Sequence, residues 1–93
     1  MGDEYTLSFR VDAKEDVENA FKALPSFDRV YELHGRRVFE FRAETNAGEM
    51  PCASASVTDD GIYFCDNGPG AEILEELREI LSGRFGAVTC NEA

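Results

Sequence analysis

The alternation of apolar and polar residues in every segment predicted as a β-strand is the feature that most constrains this fold. Near the N-terminus, Tyr5, Leu7 and Phe9 are separated by polar residues. Because successive side chains of a strand point to opposite faces of a sheet, such a strand has one apolar face and one wet face. The two segments predicted as helices each carry a single apolar stripe. We therefore predict an α+β two-layer sandwich, in which both helices cover one face of a mainly antiparallel sheet and the elements follow the order β-α-β-β-β-β-α-β.

Apolar residues at three- and four-residue spacing predict helices near residues 13–24 and 70–82. Asp12 begins a sequence with the spacing of a capping box, which marks a helix start. Pro25 ends the first helix, because the residue before a proline avoids the α region. Gly83 stands where a left-handed residue would end the second helix.

A tight hairpin is predicted at Asp60-Gly61, a residue pair typical of a type I′ turn. Pairing across this turn places Val57 opposite Phe64 and gathers the apolar residues of both strands on one face. That face is formed by Ala53, Ala55, Val57, Ile62 and Phe64.

A second hairpin is predicted between Phe27 and Ala43, with its turn near His34-Gly35. A two-residue loop would separate Phe27, Tyr31 and Leu33 from the face that carries Phe39 and Phe41, whereas an odd-length loop brings all five together on the helix side. We therefore favour a type I turn with Gly35 in the left-handed conformation, followed by a bulge.

These patterns predict one core and one open sheet face. The predicted core is Leu7, Phe9, Val17, Phe21, Phe39, Phe41, Val57, Phe64, Ile73, Leu77 and Ile80. The predicted open face carries Thr6, Ser8, Arg10, Val30, Val38, Ser54, Ser56, Thr58, Tyr63 and Cys65.

The length and charge of the chain limit the classes of protein to consider. Ninety-three residues are enough for a single domain with one core, which we assign to residues 1–93. No apolar run approaches the roughly 20 residues that span a bilayer, and we expect a cytoplasmic protein. The net charge of −10 repels nucleic acids and anionic membranes, and it attracts a basic partner. The alternative is that the acidic residues only maintain solubility.

No recognisable catalytic, metal-binding or cofactor-binding motif occurs in the sequence. The only histidine, His34, is predicted in a turn, and the three cysteines lack a C-x-x-C spacing, so we predict three reduced thiols and no cofactor or metal. The segment from Asp66 to Gly70 is predicted as a strand-to-helix turn, with Pro69 at the first helical position. It lacks the lysine of a phosphate-binding loop.

The sequence thus favours a small acidic protein-interaction module, more like an inhibitor, immunity-type protein or adaptor than an enzyme. Its partner-binding surface is expected on the acidic side of the second helix or on the open sheet face at Tyr63. The acidic helix surface consists of Glu72, Glu75, Glu76 and Glu79. One alternative is a small-molecule-binding or enzymatic site near Cys65, Asp66 and Tyr63. Another is a homodimer formed through the open face.

Overall fold

Two helices and six strands form within residues 3–43, 50–68 and 70–93, which the computed structural model describes. The elements are β1 (Asp3–Ser8), α1 (Lys14–Lys22), β2 (Phe27–Leu33), β3 (Arg36–Phe41), β4 (Ala53–Thr58), β5 (Gly61–Asp66), α2 (Ala71–Phe85) and β6 (Thr89–Glu92). The strands make one sheet of order β2-β3-β4-β5-β1-β6, in which every pairing is antiparallel. The predicted α+β class and order of elements are confirmed.

Both helices pack on the same face of the sheet, as the alternating strands predict. The stripe of α1 and the stripe of α2 join the apolar sheet face in a single core. Phe21 lies at the centre of this core, with its ring centroid 5.0 Å from that of Phe39 and 5.9 Å from that of Phe41. Of the predicted core residues, Val57 and Ile80 are only partly buried, and the others are buried.

The helix ends differ from the prediction. Helix α1 begins at Lys14 without a side-chain cap, because the Asp12 carboxylate instead accepts a hydrogen bond from Arg10 Nε at 3.0 Å. Helix α2 runs through Gly83 and stops at Gly86, which has a φ of +86° and donates its N–H to the carbonyl of Ser82. The extra turn carries Phe85, whose ring stacks on Phe9 at 5.2 Å and supplies the packing that extends the helix. The predicted placement of Pro69 lies outside the described residues.

The predicted register of the second hairpin is wrong. Strands β2 and β3 are joined by a two-residue turn in which His34 and Gly35 both have positive φ, as a type I′ turn requires. The twist of a type I′ turn matches the right-handed twist of the strands, so the two-residue turn is favoured over the longer loop. Tyr31 therefore pairs with Val38 and lies on the open face, together with Leu33.

A bulge does occur in this hairpin, but at the other end of β2. The pairing shifts between Phe27 and Arg29, and the extra residue restores Phe27 to the same face as Phe41. Val30, which was predicted on the open face, lies opposite Phe39 and packs against the core. The alternation of the sequence therefore assigns Phe27 correctly but misplaces the middle of the strand.

The first hairpin turns one residue earlier than predicted, at Asp59-Asp60, so that Val57 pairs with Ile62. This shift moves the pairing by an even number of residues, and the predicted faces are kept. Gly61 follows the turn with a φ of +152°, and a Cβ atom there would lie 1.9 Å from the carbonyl oxygen of Leu7. A glycine is required at this position because the backbone of β1 passes directly against it.

Truncation of Phe21 to alanine tests the position of the core. Phe21 is fully buried between α1 and the sheet, so Phe21→Ala should lower the free energy of unfolding by about 3–5 kcal/mol. Leu33→Ala is the control, since Leu33 is 51% exposed and its loss should cost less than about 0.5 kcal/mol. Urea denaturation measures both changes, and equal effects of the two substitutions would contradict the layer assignment.

Candidate functional site

One face of the sheet is covered by neither helix, and we call it the open face. Its side chains alternate along each strand with those that point into the core. The open face consists of Glu4, Thr6, Ser8, Arg29, Tyr31, Leu33, Arg36, Val38, Glu40, Ser54, Ser56, Thr58, Tyr63, Cys65, Thr89 and Asn91. Its centre agrees with the sequence prediction, whereas Tyr31 and Leu33 were expected on the helix side.

A shallow groove of about 510 Å³ crosses the open face. Small residues of β4, Ser54 and Ser56, form its floor, because strand β4 carries no large side chain on this face. Larger side chains of the neighbouring strands form the walls. These are Tyr31, Leu33 and Val38 on one side and Tyr63 and Cys65 on the other. With strands about 4.8 Å apart, Val38 on β3 and Tyr63 on β5 stand roughly 10 Å from each other, a width that accepts one row of side chains from another molecule. Tyr31 and Leu33 on β2 stand about 5 Å farther out.

An ion pair closes the outer end of the open face at strand β2. Arg29 Nε donates a hydrogen bond of 2.6 Å to Glu40 Oε1, and the Glu40 side chain is 8% exposed. The hydrogen bond and the negative charge of Glu40 raise the pKa of Arg29 above its ordinary value. The guanidinium also lies over the ring of Tyr31, 5.4 Å from its centroid, which holds one wall of the groove in place.

The structure divides the three residues of the alternative site. Tyr63 and Cys65 belong to the open face, whereas Asp66 is buried on the opposite side, next to the start of α2. Asp66 Oδ1 accepts the backbone N–H groups of Gly68 and Gly70, both at 2.8 Å. Its carboxylate therefore stabilises the loop between β5 and α2 and is not presented to a ligand beside Cys65.

The thiol of Cys65 has the properties of a structural side chain. It donates a hydrogen bond of 3.4 Å to Asn67 Oδ1. Burial, together with the charges of Glu4 and Asp66, raises the pKa of Cys65 above its ordinary value. The thiol is therefore protonated at neutral pH and is a weak nucleophile.

The glutamates of α2 and His34 are all exposed to solvent. Glu72, Glu75, Glu76 and Glu79 are all exposed on α2, and Glu75 is 3.7 Å from Arg78. His34 is exposed at the turn that ends the groove. The three cysteines, all within the described residues, form no disulfide, which agrees with the prediction of reduced thiols.

The described part of the chain has neither a membrane-spanning helix nor a cluster of metal ligands. Neither α1 nor α2 has the length and apolar character needed to cross a membrane. Residues 3–43, 50–68 and 70–93 contain no cluster of three or more histidine, cysteine, aspartate or glutamate side chains placed to hold a metal ion. Comparison with models of known protein families, with curated proteins and with solved structures finds no match to this chain.

Sequence reasoning missed the Arg29–Glu40 pair and the aromatic wall at Tyr31. Both follow from the two-residue turn of the β2–β3 hairpin, which sets Arg29 opposite Glu40 and Tyr31 opposite Val38. The His34-Gly35 sequence was a usable signal, since a residue that tolerates positive φ followed by glycine is typical of this turn.

The raised pKa of Cys65 predicts slow alkylation. The reaction rate of Cys65 in the native protein should keep rising with pH beyond the pH at which an unstructured cysteine peptide levels off. Glu4→Gln should shift this profile to lower pH, because the negative charge of Glu4 contributes to the raised pKa. Peptide mass spectrometry after timed alkylation follows Cys65 separately from Cys52 and Cys90. An alkylation rate of Cys65 that levels off at a lower pH than that of the peptide would show that its pKa is not raised.

The role of Asp66 predicts different effects for two substitutions. Asp66→Ala removes the acceptor of one buried N–H group, that of Gly70, and one part-buried N–H group, that of Gly68, and should lower the free energy of unfolding by about 2–4 kcal/mol. Asp66→Asn retains an oxygen acceptor and should cost less than half as much. Urea denaturation distinguishes the two, and an Asp66→Ala protein as stable as the wild type would show that the loop does not depend on this carboxylate.

Proposed function

We propose that this chain is a non-enzymatic protein-interaction module that binds its partner through the open face of the sheet. The observation that carries the proposal is the uncovered groove, whose walls present Tyr31 and Tyr63 above a floor of small side chains. Tyrosine is enriched at protein interfaces because its ring supplies apolar contact area while its hydroxyl forms a hydrogen bond. The solvated face of an antiparallel sheet typically carries mainly polar residues, whereas this groove combines two tyrosines with Leu33 and Val38.

The chemistry of the groove supports binding rather than catalysis. Cys65 is a protonated thiol, and the carboxylate of Asp66 is occupied by backbone N–H groups on the other side of the sheet. Glu40, the buried acid of the open face, is held by Arg29 at 2.6 Å. These polar groups therefore support the shape of the face.

The acidic surface of α2 is a second candidate surface, and its exposed glutamates support a role in steering. Glu72, Glu75, Glu76 and Glu79 lie on the layer opposite the open face, where they would attract a basic partner that binds at this second surface. The same charge argues against nucleic acid and anionic lipid as partners. The absence of a disulfide among the three cysteines supports a cytoplasmic location.

Capture of a partner protein by surface variants tests this proposal. The immobilised chain is exposed to a lysate of its own source cells in high salt, which weakens purely electrostatic binding. Val38→Asp places a charge on the groove wall and should reduce capture of the partner at least about tenfold. The matched control is Glu75→Lys combined with Glu76→Lys, which should leave capture in high salt unchanged.

Circular dichroism and urea denaturation establish that each variant is folded. Capture that resists Val38→Asp but is abolished by the glutamate reversals would contradict the proposal and assign binding to the acidic helix surface.

A further inference from the structure

We infer that the partner on the open face is a second copy of this chain, packed face to face around a two-fold axis. This inference rests on the proposed function and names the partner of the same surface. Three properties of the open face lead to it: its balanced charge, two unpaired charges at diagonally opposed positions, and a groove beside a ridge.

The first property is the charge balance of the open face in a strongly acidic chain. The open face carries two arginines, Arg29 and Arg36, and two glutamates, Glu4 and Glu40, although the chain as a whole has a net charge of −10. The surplus acid lies elsewhere, including the exposed glutamates of α2 on the opposite layer. The two arginines and two glutamates cancel, so two copies can meet at the open face without net repulsion.

A face-to-face dimer also keeps the acidic layers apart. Two sheets stack about 10 Å from each other, and each helix layer adds roughly another 10 Å on the outside. The glutamates of the two α2 helices would then be separated by more than two screening lengths, since that length is about 10 Å in 0.1 M salt. Repulsion between the two acidic copies is thus small in this arrangement.

The second property is a pair of opposite charges at diagonally opposed positions on the open face, each one strand in from an edge of the sheet. Arg29 and Glu40 bind each other, whereas Arg36 and Glu4 form no ion pair among the described residues. Arg36 is the first residue of β3, beside the β2–β3 turn. Glu4 lies on β1, three strands away and near the other end of the strands. In a two-fold interface each contact occurs twice. A two-fold axis that lies between the two sheets and crosses this diagonal at right angles brings Arg36 of each copy to Glu4 of the other.

The third property is the shape of the open face near its midline. Strands β4 and β5 lie at the centre of the six-stranded order. The floor of the groove, Ser54 and Ser56, is on β4, and the Tyr63 wall is beside it on β5. A two-fold axis through this centre places Tyr63 of each copy near the groove floor of the other, so that ridge and groove fit together.

A charge swap tests the inference directly. The molar mass of the full chain is measured by sedimentation over a concentration series for the wild type, Arg36→Glu, Glu4→Arg and the double variant. The wild type should reach twice its 10.3 kDa monomer mass at high concentration. Each single substitution should weaken dimerisation about tenfold or more, because it places like charges opposite each other at two symmetric contacts. The double variant restores both pairs and should dimerise within about threefold of the wild type.

A swap on the helix layer is the matched control. Glu72→Arg and Arg84→Glu, alone and combined, alter charge to the same extent on exposed positions of α2 and should leave dimerisation within about threefold of the wild type. A wild-type chain that stays monomeric at about millimolar concentration would overturn the inference. A double variant as weak as the single ones would also overturn it. A monomeric wild type that still loses a different captured protein on Val38→Asp would leave the proposed function standing and refute only the second copy as partner.

Discussion

The burial of one face of the sheet beneath two helices is the constraint on which the rest of this structure depends. Phe21 contacts two phenylalanines of β3, and the small side chains of Ala53 and Ala55 on β4 let α1 approach the sheet closely. Because strand side chains alternate, fixing one face towards the helices also fixes every residue of the other face. The open face is thus a direct consequence of how the core is packed.

The sequence predicts the layers well because period-two alternation and helical stripes are local signals. The first hairpin was predicted to turn at Asp60-Gly61 and turns at Asp59-Asp60. The predicted faces are still correct, since the error in register is an even number of residues. The β2–β3 hairpin shows the opposite outcome. Its bulge lies at Phe27 rather than after the turn, and that difference moves Tyr31 from the predicted core side to the open face. Alternation reveals that an extra residue is needed but contains no information on where it is inserted.

The candidate site was harder to predict because it depends on contacts between distant parts of the chain. The groove exists because β4 lies between β3 and β5, and strand order is decided by the packing of the whole sheet. The pairing of Arg29 with Glu40 requires the correct hairpin register, and the occupation of Asp66 by Gly68 and Gly70 requires the loop geometry. Residue type alone identified Asp66 and Cys65 as candidates for chemistry, whereas their surroundings give both a structural role.

Charge and packing give this molecule two surfaces of different character, and we propose a different role for each. The exposed glutamates of α2 provide long-range attraction and repulsion, whereas the open face offers short-range contact through Tyr31, Val38 and Tyr63. We propose that copies of this chain meet at the open face. Hydroxyl-radical labelling of tyrosines at increasing protein concentration tests it most directly, because Tyr5 points to the helix side of the same sheet and serves as an internal control. The labelling of Tyr31 and Tyr63 should fall as the protein concentration rises, while the labelling of Tyr5 should not change. Labelling of Tyr31 and Tyr63 that stays unchanged as the concentration rises would contradict the proposal.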